Sequence, residues 1–283
     1  MPSWLKERLR SLVTAMSGSA LFWIILHSPP VRYVLLTRLE FEGLYRIGLN
    51  RPHPFDRVNG TDTGGVASSG GKRTDHPYWG ATPSVVRTVL SKIPSPEKLA
   101  FIDLGCGKGR PLFLASEFPF RSILGVELSP SLARIGQTNA AIMKQRYPER
   151  TPVEVIAGDA ANYRLPPGDI ALFLYNPFGE ELMKKVVAEV EAALASEPRT
   201  IYVIYQNPVS GSCFDASPVL KRYFAANIPY NREERGFRTD VVDVMDAVIV
   251  WHGGNSPMLP LPGADAKILV SKMDYCNRAK LAT

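Results

Sequence analysis

The sequence predicts an α/β protein with a doubly wound, mostly parallel sheet, an antiparallel edge strand and an N-terminal helical extension. Three observations carry this. From about Thr82 onward, short β-type apolar runs alternate with amphipathic helical segments. The first such run ends in a glycine-rich turn, Gly105-Cys106-Gly107-Lys108-Gly109, where a parallel sheet of this kind places its ligand. The final strand is reached without a long intervening helix, which implies an antiparallel pair at one sheet edge.

The elements follow in order. Residues 83–93, PSVVRTVLSKI, read as a helix, with Pro83 suited to its first turn. LAFIDL (99–104) is a strand and RPLFLASEF (110–118) a helix. SILGVEL (122–128) is a strand. Residues 129–147 form a long helix with Ser129 at the N-cap and Pro130 at the first helical position. PVEVIAG (152–158) and IALFLYN (170–176) are strands, EELMKKVVAEVEAALA (180–195) a helix and TIYVIYQN (200–207) a strand. VLKRYFAA (219–226) reads as helical, and VVDVMDAVIVWH (241–252) as the closing strand.

Upstream, residues 4–16 place Trp4, Leu5, Leu9, Leu12 and Met16 near one helical face. The apolar run from Ala20 to Leu26 is far shorter than the roughly 20 residues a bilayer span needs, and Pro29 and Pro30 break it. It has no small-residue cleavage site behind it, so it is not read as a signal peptide. Helical patterning resumes over 31–49. The expected organisation is a helical extension (1–58), a Gly/Ser-rich loop (59–77) serving as linker or substrate lid, a catalytic domain (78–252) and a Pro/Gly-rich tail (253–283). Residues 1–40 are candidates for peripheral membrane contact by a cytoplasmic protein.

Composition narrows the chemistry. The net charge of +6 is spread thinly, without a basic run, so a nucleic-acid partner is not expected. Three widely separated cysteines offer neither a disulfide framework nor a CxxC metal half-site, and the four histidines lack ligand spacing. No metal is expected, and a reducing compartment fits.

The glycine turn cannot serve a dinucleotide. GxGxxG requires a third glycine at Arg110 or Leu112. The spacing is instead acid-x-Gly-x-Gly-x-Gly, opening at Asp103. Acids or turn residues also end the next three strands: Glu127 in GVELS, Asp159 in AGDA and Asn176 in LYNPF. This ordered set resembles the class I, seven-strand, Rossmann-like S-adenosylmethionine-dependent methyltransferases over residues 78–251. The resemblance implies S-adenosylmethionine as cofactor. Asp103, Gly105, Gly107 and Gly109 would hold its amino-acid tail and ribose. Glu127 would accept from the ribose diol, and Asp159 with Ala160 would meet the adenine edge. Cys106 is read as a small space-filling residue.

Asn176-Pro177-Phe178 looks like the (Asp/Asn)-Pro-Pro-(Tyr/Phe) motif of amino-group methyltransferases without its second proline, a departure that weighs against nucleobase substrates. An Asn oxygen and the Pro177 carbonyl suit the N–H groups of an amine, and Phe178 could stack on it. The segment HPYWGATP (76–83) is loosely similar to that before motif I in non-SET protein-lysine methyltransferases, where a Tyr and a Thr or Ser close over the cofactor. Tyr78 and Thr82 are the matching positions, and Trp79 would line an acceptor pocket. The expected acceptor is therefore a protein lysine in preference to a small-molecule amine or hydroxyl. A non-catalytic cofactor sensor or scaffold on the same fold is the alternative of a different class.

Overall fold

The computed structural model describes residues 53–64, 66–67, 78–235, 245–254 and 259–268. The N-terminal helices and apolar run read from the sequence lie outside these residues. Helix α1 (Pro54–Asn59) and strand β1 (Val66–Ala67) precede β2 (Tyr78–Trp79), with which β1 pairs antiparallel. Then come α2 (Pro83–Leu90), β3 (Ala100–Leu104), α3 (Arg110–Ala115), β4 (Ser122–Glu127), α4 (Pro130–Arg146) and β5 (Val153–Ala157). They are followed by β6 (Ile170–Tyr175), α5 (Glu180–Ser196), β7 (Thr200–Gln206), α6 (Ser212–Asp215), β8 (Lys221–Pro229), α7 (Arg232–Arg235) and β9 (Met245–Gly254).

The main sheet has seven strands in the order β5-β4-β3-β6-β7-β9-β8. β3, β4, β5, β6 and β7 run parallel, while β9 lies antiparallel between β7 and β8. The chain starts its parallel sheet in the middle and winds outward both ways. The crossover point lies between β3 and β6, where the carboxyl ends of the strands open a crevice. This is the seven-stranded Rossmann-like architecture expected.

Side chains alternate across each strand, so one strand feeds two cores. Phe101 on β3 packs in a cluster with Val85, Leu112, Phe113, Ala133 and Phe173 on the face covered by α2, α3 and α4. Its neighbours Ile102 and Leu104 point the other way, into a cluster with Leu172, Met183, Val190 and Phe214 beneath α5 and α6. Each large apolar side chain buried this way stabilises the fold by about 1.5–3 kcal/mol. Pro83 and Pro130 both sit in the first turns of their helices, as expected. Ser129 holds the N-cap position of α4, but its hydroxyl pairs with Ser131 Oγ instead of capping the helix.

One element differs from expectation. Residues 219–226 were expected to be helical, whereas Lys221–Pro229 is the edge strand β8, paired antiparallel with β9. Leu, Lys, Arg and Ala favour helix locally. The competing signal is an alternation in the middle of the segment: Tyr223 and Ala225 are buried while Arg222, Phe224 and Ala226 between and beside them are half-buried. Pairing with β9, which is buried from Asp246 to Gly253, outweighs propensities worth tenths of a kcal/mol per residue. The antiparallel relation of the two strands read from the sequence, β7 and β9, holds; the edge itself is β8.

The second difference concerns the segment before the domain. Helix α1 straddles the expected boundary between residues 58 and 59, and residues 61–64 are docked on the catalytic-looking domain. Asp62 N–H donates to Asn139 Oδ1 at 2.9 Å, and Asn139 Nδ2 donates back to the Asp62 carbonyl at 2.8 Å. Among the described residues no helix is long and apolar enough to cross a membrane.

Candidate active site

The crevice at the strand ends is a cleft partly open to solvent, at the place where open α/β sheets bind their ligands. Its wall includes Asp103, Gly105, Cys106, Glu127, Leu128, Leu132 and Ala160 on one side and Tyr175, Asn176, Pro177 and Phe178 on another. Tyr78, Trp79, Gly80 and Ala81 from the segment before α2 close a third. Regions more than 70 residues apart in sequence thus meet in one cavity.

The glycine loop takes its shape from what packs on it. Gly107 has φ +54°, and a Cβ there would lie 2.1 Å from the Tyr78 ring. Gly105 has φ +84°, and a Cβ would lie 2.7 Å from Pro177 Cβ. Only glycine meets both conditions, a left-handed backbone and no room for a side chain. The loop is therefore clamped between the tyrosine before α2 and the proline after β6. Cys106 is buried, and burial together with Asp103 and Glu127 pushes its thiol well above the ordinary range, so it stays neutral. It fills space against Gly125.

Two carboxylates face the cleft. Glu127 accepts from Gly107 N–H and Ser129 N–H, each at 2.8 Å, which ties the loop to the turn into α4. A carboxylate oxygen can accept two hydrogen bonds, so these contacts are compatible with a further donor from a diol. Asp103 is 1% exposed, and its Oδ2 has no hydrogen-bond partner among the described residues. Burial, followed by the nearby Glu127 charge, raises its carboxyl well above the usual carboxylate range. A buried acid without a donor costs free energy. A cationic group with N–H donors in the cleft would supply what is missing. Asp103 thus fits the ammonium of the cofactor tail expected from the sequence, and the glycine cradle fits a ligand that approaches backbone closely.

The other expected cofactor residues divide. Tyr78 lines the cleft, with its hydroxyl donating to the Thr63 carbonyl at 2.7 Å. Thr82 is buried at the N-cap of α2 and is not among the lining residues. Asp159 is exposed and outside the lining. It caps the short 3-10 helix Ala160–Asn162, its Oδ1 accepting from Ala161 N–H at 3.0 Å and its Oδ2 from Asn162 Nδ2 at 2.6 Å. Its neighbour Ala160 does line the cleft. Leu128 and Leu132 were not expected; they present apolar surface beside Glu127, suited to a flat ring system. The signal was available, since both stand within five residues of the β4 acid.

On the far wall, Asn176 has φ +42° and its Oδ1 accepts from the Tyr205 hydroxyl at 2.9 Å. Phe178 is both a lining residue and part of the core cluster beneath α5, so its ring is fixed in place. No Lys, Arg or His is among the lining residues, and no cluster of metal-ligating side chains occurs among the described residues.

The basic residues of the glycine loop are turned away from the cleft into a polar lock. Arg110, 3% exposed, donates through Nε to Thr63 Oγ1 at 2.8 Å, through one Nη to the Thr63 carbonyl at 2.7 Å and through the other to the Ala81 carbonyl at 3.1 Å. Asp56, 4% exposed, lies 3.7 Å from the guanidinium and accepts from Thr63 N–H and Oγ1. Lys108 donates to Asp62 at 2.7 Å and to the Gly64 carbonyl at 2.8 Å. His53 caps α1 by accepting from Phe55 N–H at 3.1 Å, and burial followed by the charges of Arg110 and Arg57 holds it down at about 3.

The strand order and the antiparallel β9 are those of the seven-stranded Rossmann-like fold that class I S-adenosylmethionine-dependent methyltransferases share, with a cleft at its crossover. Similar solved structures include a proposed class I methyltransferase of Listeria monocytogenes (12% identity, 71% of this chain and 68% of that one, TM-score 0.47). Another is the 23S rRNA methyltransferase ErmE (14% identity, 64% and 72%, TM-score 0.40). A third is an RNA methyltransferase of Salinibacter ruber in complex with S-adenosylhomocysteine (18% identity, 62% and 95%, TM-score 0.39). No protein-family model and no curated protein matches the chain.

Proposed function

We propose that this chain is an S-adenosylmethionine-dependent methyltransferase that methylates a nitrogen nucleophile, with a protein lysine side chain as its acceptor. The observation that carries the reading is the buried Asp103 carboxyl, whose Oδ2 has no hydrogen-bond partner among the described residues, beside a glycine loop that no side chain could share. When bound, the cofactor supplies an electrophilic methyl on a sulfonium centre. The protein's own part is to bind, orient and exclude water. Asp103 would hold the ammonium of the cofactor tail and Glu127 the ribose diol, with Leu128 and Leu132 covering an apolar face.

Across the cleft, the Asn176 Oδ1 and the Pro177 carbonyl would accept N–H hydrogen bonds from an amine. A neutral amine oriented this way reacts by alignment, without a general base, and its surplus proton leaves to solvent. A lining without cations suits a ligand that brings its own positive charge and disfavours phosphate close to the reacting centre. Trp79, Tyr175 and Phe178 offer aromatic faces to a lysine stem.

Calorimetry with S-adenosylhomocysteine tests the cofactor; micromolar binding is expected, and none at millimolar ligand would overturn the reading. Labelled methyl transfer into a cell lysate tests the acceptor. Protease-released label supports a protein. Nuclease-released or acid-soluble label would replace lysine with nucleic acid or a small molecule. Binding without transfer to any fraction would favour a sensor.

A further inference from the structure

Strands β6 and β7 end alike. Tyr175 is in register with Gln206, so Asn176-Pro177 and Asn207-Pro208 lie side by side at the ends of neighbouring parallel strands. Both asparagines are left-handed, at φ +42° and +50°. Asn tolerates this backbone better than any residue except glycine, and that alone could account for its presence at both positions. The side chains part company, however. Asn207 Oδ1 is buried without a hydrogen-bond partner among the described residues, whereas Asn176 Oδ1 is held by the Tyr205 hydroxyl.

Tyr205 is fully buried and does not line the cleft. Its ring meets Phe214 edge-on, with centroids 5.9 Å apart, so the phenol has little freedom. Burial pushes its hydroxyl up to about 12, which keeps the donated proton in place at any working pH. The same oxygen accepts from Ser210 N–H at 3.4 Å. With a backbone N–H directed at the phenol oxygen, the phenol proton is directed to Asn176. An asparagine amide whose oxygen already accepts one hydrogen bond has a fixed orientation, and the oxygen's second lone pair stays at a defined angle.

We infer that Tyr205 is a positioning residue for methyl transfer, fixing the Asn176 amide so that its oxygen addresses an amine N–H in the cleft. The inference rests on the proposed methyltransferase reading. It adds a residue that never touches the acceptor, and it assigns the turn at 207–211 a part in holding the amide.

The test begins without any ligand. In protein labelled with ¹⁵N-asparagine, the Asn176 side-chain NH₂ pair is identified by its loss in Asn176→Gly, a variant that keeps the left-handed backbone. Tyr205→Phe is expected to move or broaden that pair. Affinity for S-adenosylhomocysteine is expected to stay within about twofold, since cofactor and amide lie on different walls. Label transfer to lysate is expected to fall about tenfold or more in kcat, close to the loss in Asn176→Gly, and the double variant should be no slower. Asn176→Asp, which keeps the acceptor oxygen, should retain its sensitivity to Tyr205→Phe.

An Asn176 pair unmoved by Tyr205→Phe would overturn the inference, as would additive losses in the double variant. Wild-type protein that fails to bind S-adenosylhomocysteine would instead overturn the cofactor reading, while the amide experiment still reports on the contact.

Discussion

The two walls of the cleft solve different problems. The wall holding the glycine loop is built on buried ionisable groups: Asp103 and Glu127 face inward, while the Arg110–Asp56 ion pair is locked behind. The Asn-Pro-Phe wall is built on neutral groups: an amide, a carbonyl, a phenol and aromatic rings. Buried charge is sensitive to the loss of any partner, whereas a neutral amide wall loses only the orientation of one group. Damage to the first wall should therefore appear in stability and cofactor affinity, and damage to the second in turnover.

The largest effect is expected from Arg110→Leu. It leaves the Asp56 carboxylate buried without its cation and removes the donors to Thr63 and Ala81. A loss of about 3–5 kcal/mol is expected for one partner of a buried pair, read as a lower urea midpoint with the slope unchanged. A loss below about 1 kcal/mol would show that water reaches Asp56 and that the lock is weaker than its geometry.

Next comes Gly107→Ala. The new methyl has to displace the Tyr78 ring and sit at a positive φ. Affinity for S-adenosylhomocysteine should fall about 100-fold, roughly 2.7 kcal/mol. Asn176→Gly on the opposite wall should leave that affinity nearly unchanged. Equal losses from the two variants would erase the distinction between the walls.

A smaller effect concerns protons. The Asp103 carboxyl is raised by burial and then by Glu127, so the empty protein holds a proton there at pH values where an exposed carboxylate has lost it. Stability from this site is fully present below the unfolded value and is lost as pH rises through the folded one. A bound ammonium favours the carboxylate, so ligand binding releases the proton and affinity should rise with pH, about tenfold or roughly 1.4 kcal/mol across that window. Calorimetry in buffers of different ionisation enthalpy measures the release directly. Asp103→Asn should abolish it.

The smallest effect belongs to His53. Its Nδ1 accepts the cap hydrogen bond only when neutral, and its folded value is lowered to about 3. The unfolded chain binds a proton from about pH 6.5 downward, so stability is full above that pH and falls as pH drops toward 3. His53→Asn keeps a cap acceptor that does not titrate. It should flatten that limb at a difference on the order of 1 kcal/mol, measured as urea midpoints at pH 7 and pH 5.

The acid-ended strands and the glycine register were legible because they are local. Asp103, Glu127 and Asn176 each end an apolar run, and a strand's end is where such a fold places its ligand. Edge strand β8 was not legible, because its residues favour helix and only β9, pairing from Lys221↔His252 to Pro229↔Met245 with one register shift between Arg222 and Phe224, makes them a strand. The docked segment at 61–64 was read as loop because Gly, Thr and Asp signal turns. Nothing local reveals that Thr63 and Asp56 satisfy a guanidinium 47 residues or more away.

By itself the sequence determined which backbone could bend at Gly105 and Gly107, which strands carry acids and in what order they occur, because these follow from side-chain size, charge and period. The tertiary structure decided which of those groups share a cavity. It turned Asp159 to solvent as a helix cap and left Asp103 buried without a donor among the described residues. It also set Tyr205 beneath Asn176. The physical reason is that desolvation and hydrogen-bond geometry belong to neighbours in space, and β6 and β7, joined in sequence only through α5, become neighbours when the sheet closes.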